Sequence, residues 1–215
     1  MTRSSTCYGS VMAAAARPPP PTRAPHGEER LLIHGVTWST YVVLRDSLDD
    51  QRAGVRLTYL EGALELMSPS DDHEASKKLL ARLLEAYAEE MDLDLDGHGS
   101  TTFRDEAVKR GLEPDECYTL GRGKKKVPDI AIEVVFSPPR LDKLAVYQGL
   151  AVPEVWVYRG GKLAVWALRE DAYEEGTRSL ALPKLDLELM VSFVRLGESQ
   201  TKLVKAFREA MRAAR

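Results

Sequence analysis

Apolar positions recur along the chain with two periods, close to four and equal to two, and the switches between them mark its elements. Leu31–Ile33 is a short apolar run that predicts a strand. Thr37 is a good helix cap, and Trp38, Tyr41, Val42, Leu44 and Leu48 follow it at helical spacing. Arg56–Met67 alternates about Glu61-Gly62, where glycine allows the positive φ of a tight turn, so a β-hairpin is predicted there. After the Pro69-Ser70 break, Asp71 with Glu74 three residues on marks a helix start; Leu79, Leu80, Leu83, Leu84, Tyr87 and Met91 give that helix a buried stripe. Ser100–Phe103 reads as a short strand. A helix from Leu141 carries Leu144, Tyr147 and Leu150 and ends before Pro153, and Glu154–Tyr158 with Lys162–Leu168 forms a second hairpin about Arg159-Gly160-Gly161. Beyond a charged loop lie two short apolar runs, Arg178–Leu182 and Leu185–Met190. Leu203, Val204, Phe207 and Met211 then predict a C-terminal helix over residues 198–215, docked on its own domain or on another copy.

The stretch over residues 113–143 orders the rest. Two apolar runs, each opened by Pro-Asp, flank a centre rich in Gly and Lys, which is a hairpin signal. Folding 115–121 back on 127–135 about Lys124 sets Asp115 opposite Glu133. On the second strand Asp129, Ala131 and Glu133 share one face, and Ile130, Ile132, Val134 and Phe136 the other. Carboxylates across a sheet repel each other unless a cation or a proton lies between them, so the pair reads as a site for a hard cation or as a solvated acidic edge.

Such oxygen ligands suit Mg²⁺ or Mn²⁺. Zinc is disfavoured, because His26, His34, His73 and His98 are scattered and Cys117 stands alone. A cation between Asp115 and Glu133 could polarise a phosphodiester oxygen and activate a water. Asp129 is the poorer first ligand, since at roughly 3.3 Å per residue it lies about 13 Å from Glu133 along one strand. Lys143, near the start of the following helix, is placed to reach back to Glu133. Lys124, Lys125 and Lys126, at the far turn, read as phosphate contacts or as a solvated loop. Glu74 reads as a helix cap or as an acid overhanging the carboxylate pair. Trp156 and Trp166 read as core strand residues ahead of ligand stackers.

Composition narrows this picture. At 215 residues the chain is of a size for one domain with a tail. Its 44% apolar and 29% charged residues are those of a soluble globular protein, and no apolar run approaches the roughly 20 residues of a membrane span. Pro18 to Pro21, Pro25 and the absence of periodicity make residues 1–30 a disordered Pro/Ala-rich leader, with one domain over 31–215. Cys7 and Cys117 make no disulfide framework and fit a reducing cytoplasm. A net charge of −3 argues against a broad nucleic-acid footprint and leaves room for a local one.

Taken in order, LTYLEGALELMSP, His73-Glu74, GSTTF, GLEPDECY, PDIAIEV, SPPRLDKLAVY and GLAVPEVWVY closely resemble the large bacterial family of putative restriction endonucleases, once catalogued as a domain of unknown function, within the PD-(D/E)XK nuclease superfamily. The resemblance runs from about Leu31 to the C-terminus. It implies an α/β (α+β) fold with a restriction-endonuclease-like core, a mixed β-sheet with flanking helices and additional β-hairpins. It also implies a metal held by Asp115, Glu133 and the backbone carbonyl of Val134, with Glu74 as the matching helix-borne acid. The expected activity is that of a Mg²⁺-dependent (or Mn²⁺-dependent) DNA endonuclease, a homodimer because cutting two strands calls for two sites. The superfamily pattern wants Glu-x-Lys on the second strand, where this chain has Glu133-Val134-Val135. Lys143 of the next helix is the natural substitute. Two other readings stand beside this one: a catalytically inactive nuclease fold acting as a nucleic-acid binding or assembly module, and a structural protein whose carboxylates are capped by Lys143 and the turn lysines.

Overall fold

Strand alternation and helical stripes sort the chain into two sheets with helices against them. The computed structural model describes residues 27–50, 54–123 and 125–213. The leader up to residue 26, with Cys7, and Lys124 at the hairpin turn lie outside the described residues.

The chain opens with β1 (Glu29–His34), α1 (Trp38–Asp50), β2 (Arg56–Leu60) and β3 (Ala63–Ser68). In the β2–β3 turn Glu61 and Gly62 have φ of 47° and 96°; two left-handed residues match the twist of the flanking strands, as the alternation predicts. Next come α2 (Asp71–Met91), β4 (Leu95–Gly97), β5 (Phe103–Asp105) and β6 (Arg110–Leu112). The first sheet has the order β1-β3-β2-β6-β5 and all its pairs are antiparallel. Tyr41 of α1 packs with Leu57, Tyr59 and Leu64, and the Tyr41 and Tyr59 rings stack at 4.9 Å.

The second sheet holds β7 (Glu116–Leu120), β8 (Ile130–Val134), β9 (Glu154–Arg159), β10 (Lys162–Arg169) and β11 (Ala172–Gly176) in the order β11-β10-β9-β8-β7-β4. Between β8 and β9 runs α3 (Lys143–Gly149), and β8 and β9 pair in parallel, as a helical crossover permits. The last helices are α4 (Leu187–Ser192) and α5 (Gln200–Ala213), the latter against α2 through Leu203 and Phe207. No helix among the described residues is long and apolar enough to cross a membrane.

β8 is buried along its whole length. Ile130, Ile132 and Val134 meet the leucine stripe of α2, while Ala131 lies in a cluster with Val146 and Tyr147 of α3 and with Leu150, which caps that helix. The acidic face of this strand is thus roofed by α3 and is not a solvated edge. Phe136 does not continue the apolar face; it lies past the strand end and is 49% exposed.

Other expectations shift by local chemistry. The first strand begins at Glu29, two residues before Leu31, because Glu28 and Arg30 are tied inward by side-chain bonds. α2 is capped by Ser70, whose backbone is extended (φ −81°, ψ 167°) and whose hydroxyl accepts from His73 N at 3.1 Å; Asp71 is already helical. The strand expected at Ser100–Phe103 lies instead at Phe103–Asp105, and β4 precedes it. The charged loop holds β11, an exposed edge strand on β10 with Tyr173 opposite Leu168. Trp156 is core, and Trp166 is partly buried on the α3 side.

Candidate active site

The hairpin of β7 and β8 folds in the register read from its sequence. Glu116 faces Ile132, Cys117 faces Ala131 and Tyr118 faces Ile130. One residue further, the same register sets Asp115 across from Glu133. Both are buried, at 1% and 3% exposure. Asp115 Oδ2 accepts the Val134 amide at 2.8 Å, which locks it to the end of β8.

Lys143 is the first residue of α3, and Asp142 caps that helix by accepting from Ala145 N at 3.1 Å. The cap fixes where the helix begins and so where the lysine points. Lys143 Nζ donates to Glu133 Oε2 at 2.7 Å, and Tyr147 OH, one turn on and on the same helix face, donates to Oε1 at 2.5 Å. A cavity of about 230 Å³ adjoins Glu133, Lys143 and Tyr147, walled by Val135, Val157 and Trp166 with Arg159 among its lining residues.

On the other side, His73 in the first turn of α2 contacts Asp115 Oδ1 through Nε2 at 2.9 Å. Its Nδ1 lies 2.5 Å from Glu28 Oε1. The second oxygen of Glu28 accepts from Ser137 N at 2.8 Å and Ser137 Oγ at 2.6 Å, and from Arg30 at 3.3 Å. Arg30 also reaches Glu65 at 2.7 Å, and Glu65 accepts the Arg140 amide. A closed set of charged side chains therefore surrounds the hairpin mouth.

Burial pushes the His73 imidazole down, but bonds and charge from Asp115 and Glu28 outweigh it and hold the pKa at about 9, so the ring is a cation at neutral pH. Burial pushes Glu28 up, and the bonds from His73 and Ser137 with the Arg30 charge bring it down to about 2. Asp115 is likewise held below the usual carboxylate range, its burial offset by His73, Lys143 and the Val134 amide. Glu133 goes the other way: burial and the Asp115 charge raise it further than Lys143 and Tyr147 lower it. Lys143 itself is raised, burial being outweighed by Glu133 and Asp115. The two partners of one ion pair thus disagree. The lysine sees two carboxylates that outweigh its burial and stays charged, whereas at Glu133 the cost of burial, with the like charge of Asp115 added, outweighs one lysine and one phenol.

Asp115, Glu133 and Lys143, the three residues singled out on the hairpin and its following helix, are brought together. Glu74 is not: its side chain is 42% exposed and pairs with Lys77 at 2.7 Å and Arg56 at 3.6 Å, because helix rotation turns it away as it turns His73 in. Lys125 pairs with Asp129 at 2.6 Å and Lys126 with Asp105 at 3.3 Å, both at the far end of the hairpin; Lys124 lies outside the described residues. Sequence reasoning missed Glu28, Arg30, the bridging role of His73 and the bonding role of Tyr147. Tyr147 carried a signal in its spacing of four from Lys143, and His73 in its place beside Glu74 in the first turn of the helix.

Among the described residues no group of three or more His, Cys, Asp or Glu side chains is arranged to hold a metal ion. The donor set fits a hard cation of lower demand. Each carboxylate oxygen of Asp115 and Glu133 accepts one hydrogen bond and keeps a second lone pair, and Mg²⁺ asks for only one or two protein carboxylates beside its waters.

Two sheets, one of them mixed, with helices packed on them are consistent with the restriction-endonuclease-like core of the PD-(D/E)XK superfamily. The chain belongs to the Uma2 family, described as "Putative restriction endonuclease", whose model matches residues 38–194. No curated protein matches the chain. The family places it among nuclease-like enzymes, whose fold generally works with divalent metals and whose expected substrate is DNA.

Proposed function

We propose that this protein is a Mg²⁺- or Mn²⁺-dependent DNA endonuclease, with Asp115, Glu133 and the Val134 backbone carbonyl as metal ligands and Lys143 as the catalytic cation. The observation that carries the reading is the contact of 2.7 Å between Lys143 Nζ and Glu133 Oε2, made across a helix start and a strand end in a buried site. It supplies from α3 the ammonium that Val135 cannot supply from the strand.

When bound, the metal would polarise the phosphodiester and lower the pKa of the attacking water. Asp115, pinned by Val134 N and His73, and Glu133, pinned by Tyr147, hold their oxygens in place before any ligand arrives. Lys143 orients the water against the phosphorus and offsets charge growing on the phosphoryl oxygens. Asp115 is favoured in its ionised form by His73, Lys143 and the Val134 amide, while burial favours the protonated form of Glu133 and Lys143 opposes it. A homodimer would cut both strands.

Isothermal titration of Mn²⁺ into the protein tests the ligand set. Wild type should give a binding heat, and Asp115→Asn and Glu133→Gln should each abolish it; a heat that survives both substitutions sinks the assignment. A second reading, a nuclease fold that binds nucleic acid without cutting it, is favoured by the full set of protein donors on both carboxylates. It predicts salt-sensitive DNA binding with no metal heat.

A further inference from the structure

The strand that begins at Glu29 precedes the span of the family match, which starts at residue 38. It nevertheless brings two charged groups to the candidate site. Glu28 and Arg30 are 1% and 5% exposed in their side chains, although each stands in a short segment whose neighbours Glu29 and Leu31 face outward. Burying a carboxylate and a guanidinium in an edge segment is costly unless they are fully bonded, and these are.

The Glu28 carboxylate divides its two oxygens between the two halves of the site. Oε1 meets His73 Nδ1, whose opposite nitrogen meets Asp115. Oε2 meets both the amide and the hydroxyl of Ser137, in the loop that leads from β8 to Lys143. Arg30 repeats the clamp at a second point: it donates to Ser137 Oγ at 3.0 Å and to Glu65, which in turn holds the Arg140 amide three residues before Lys143. One carboxylate therefore fixes the ring orientation of the Asp115 partner and the path of the segment that delivers the lysine.

We propose that Glu28 is a positioning residue of the nuclease site, acting through His73 on Asp115 and through Ser137 on the approach of Lys143, so that the site is completed by a segment lying outside the family match. The proposal rests on the endonuclease reading. Outer partners of this kind set ligand orientation, and losing one typically costs about 10–100-fold in metal affinity or activity.

The test uses the full chain with Glu28→Gln, which keeps size and removes the charge, and Glu29→Gln as an exposed control on the same strand. Plasmid nicking should lose at least about tenfold in kcat for Glu28→Gln, with KM for DNA within about twofold of wild type. Mn²⁺ affinity by calorimetry should fall with it, and the ¹⁵N shift of the His73 ring should move; Glu29→Gln should match wild type in all three. Circular dichroism reports folding, and should Glu28→Gln unfold, Ser137→Ala removes the hydroxyl bonds to Glu28 and Arg30, keeps the amide bond, and should still lower kcat. A folded Glu28→Gln with wild-type kcat, Mn²⁺ affinity and His73 shift overturns the proposal, as does wild-type kcat in Ser137→Ala where Glu28→Gln is unfolded. If wild type itself neither nicks nor binds Mn²⁺, the endonuclease reading fails first. An unmoved His73 shift in Glu28→Gln, or in Ser137→Ala in its place, then overturns the positioning role separately.

Discussion

Replacing Lys143 by methionine keeps an apolar stem of similar length and removes the ammonium 2.7 Å from Glu133 Oε2. With the two side chains 11% and 3% exposed, solvent cannot take over the lost charge. Removing one partner of a buried ion pair costs about 3–5 kcal/mol, and because the Tyr147 phenol stays on Oε1 the lower end, about 3 kcal/mol, is expected. The pH dependence follows from the direction of the Glu133 shift. Burial and Asp115 raise its carboxyl, Lys143 opposes them, and without the lysine the folded-state pKa rises further. A carboxyl raised on folding binds its proton more tightly in the native state, so stability is greatest below the unfolded value of about 4.3 and falls as pH climbs through the folded one. In metal-free urea unfolding the gap between wild type and Lys143→Met should therefore be small near about pH 5 and approach about 3 kcal/mol near about pH 8. Added to Glu133→Gln, the same substitution should cost under about 1 kcal/mol, because no buried charge is stranded. A gap that stays under about 1 kcal/mol at every pH would refute the buried pair.

Three other outcomes follow from the contacts. In metal-free buffer, the stabilisation from His73 is full below about pH 6.5 and lost as pH rises through about 9, since its folded pKa lies above the ordinary 6.5; His73→Gln should flatten that slope in denaturant titrations run across the window. Gly111→Ala should lower the thermal midpoint, because an added Cβ would lie 2.8 Å from Tyr41 Cζ on an immobile ring, an overpacking cost of about 1–3 kcal/mol. Glu74→Gln should leave plasmid nicking within about twofold of wild type, its side chain being paired with Lys77 away from the carboxylates; a loss comparable to Glu133→Gln would return Glu74 to the site.

The parts of this site legible in the sequence are those encoded locally. Two Pro-Asp openings about a Gly and Lys centre set the hairpin register, and Lys143 lies ten residues from Glu133, within reach across one loop. The hidden parts are non-local. Glu28 lies 45 residues from His73 in a stretch with no periodicity, so no spacing rule could join them. Glu74 drew attention as the charged member of His73-Glu74. Which of two neighbours faces the sheet depends on helix phase, and Ser70, not Asp71, sets that phase. The acidic face of β8 read as a site ahead of a solvated edge, and the edge stayed open because a single strand cannot reveal the helix that will cover it. β11 escaped notice since a largely exposed edge strand, with Tyr173 alone turned to the core, has no apolar alternation to show.

The proposed function rests on cleavage of a phosphodiester bond by Glu133 and its partners. It is met most directly by incubating supercoiled plasmid with wild type and with Glu133→Ala in Mg²⁺ or Mn²⁺ and following the nicked form. Nicking by wild type alone, abolished by chelator, is the predicted result. Equal nicking by both proteins, or none by wild type in either metal, would contradict it.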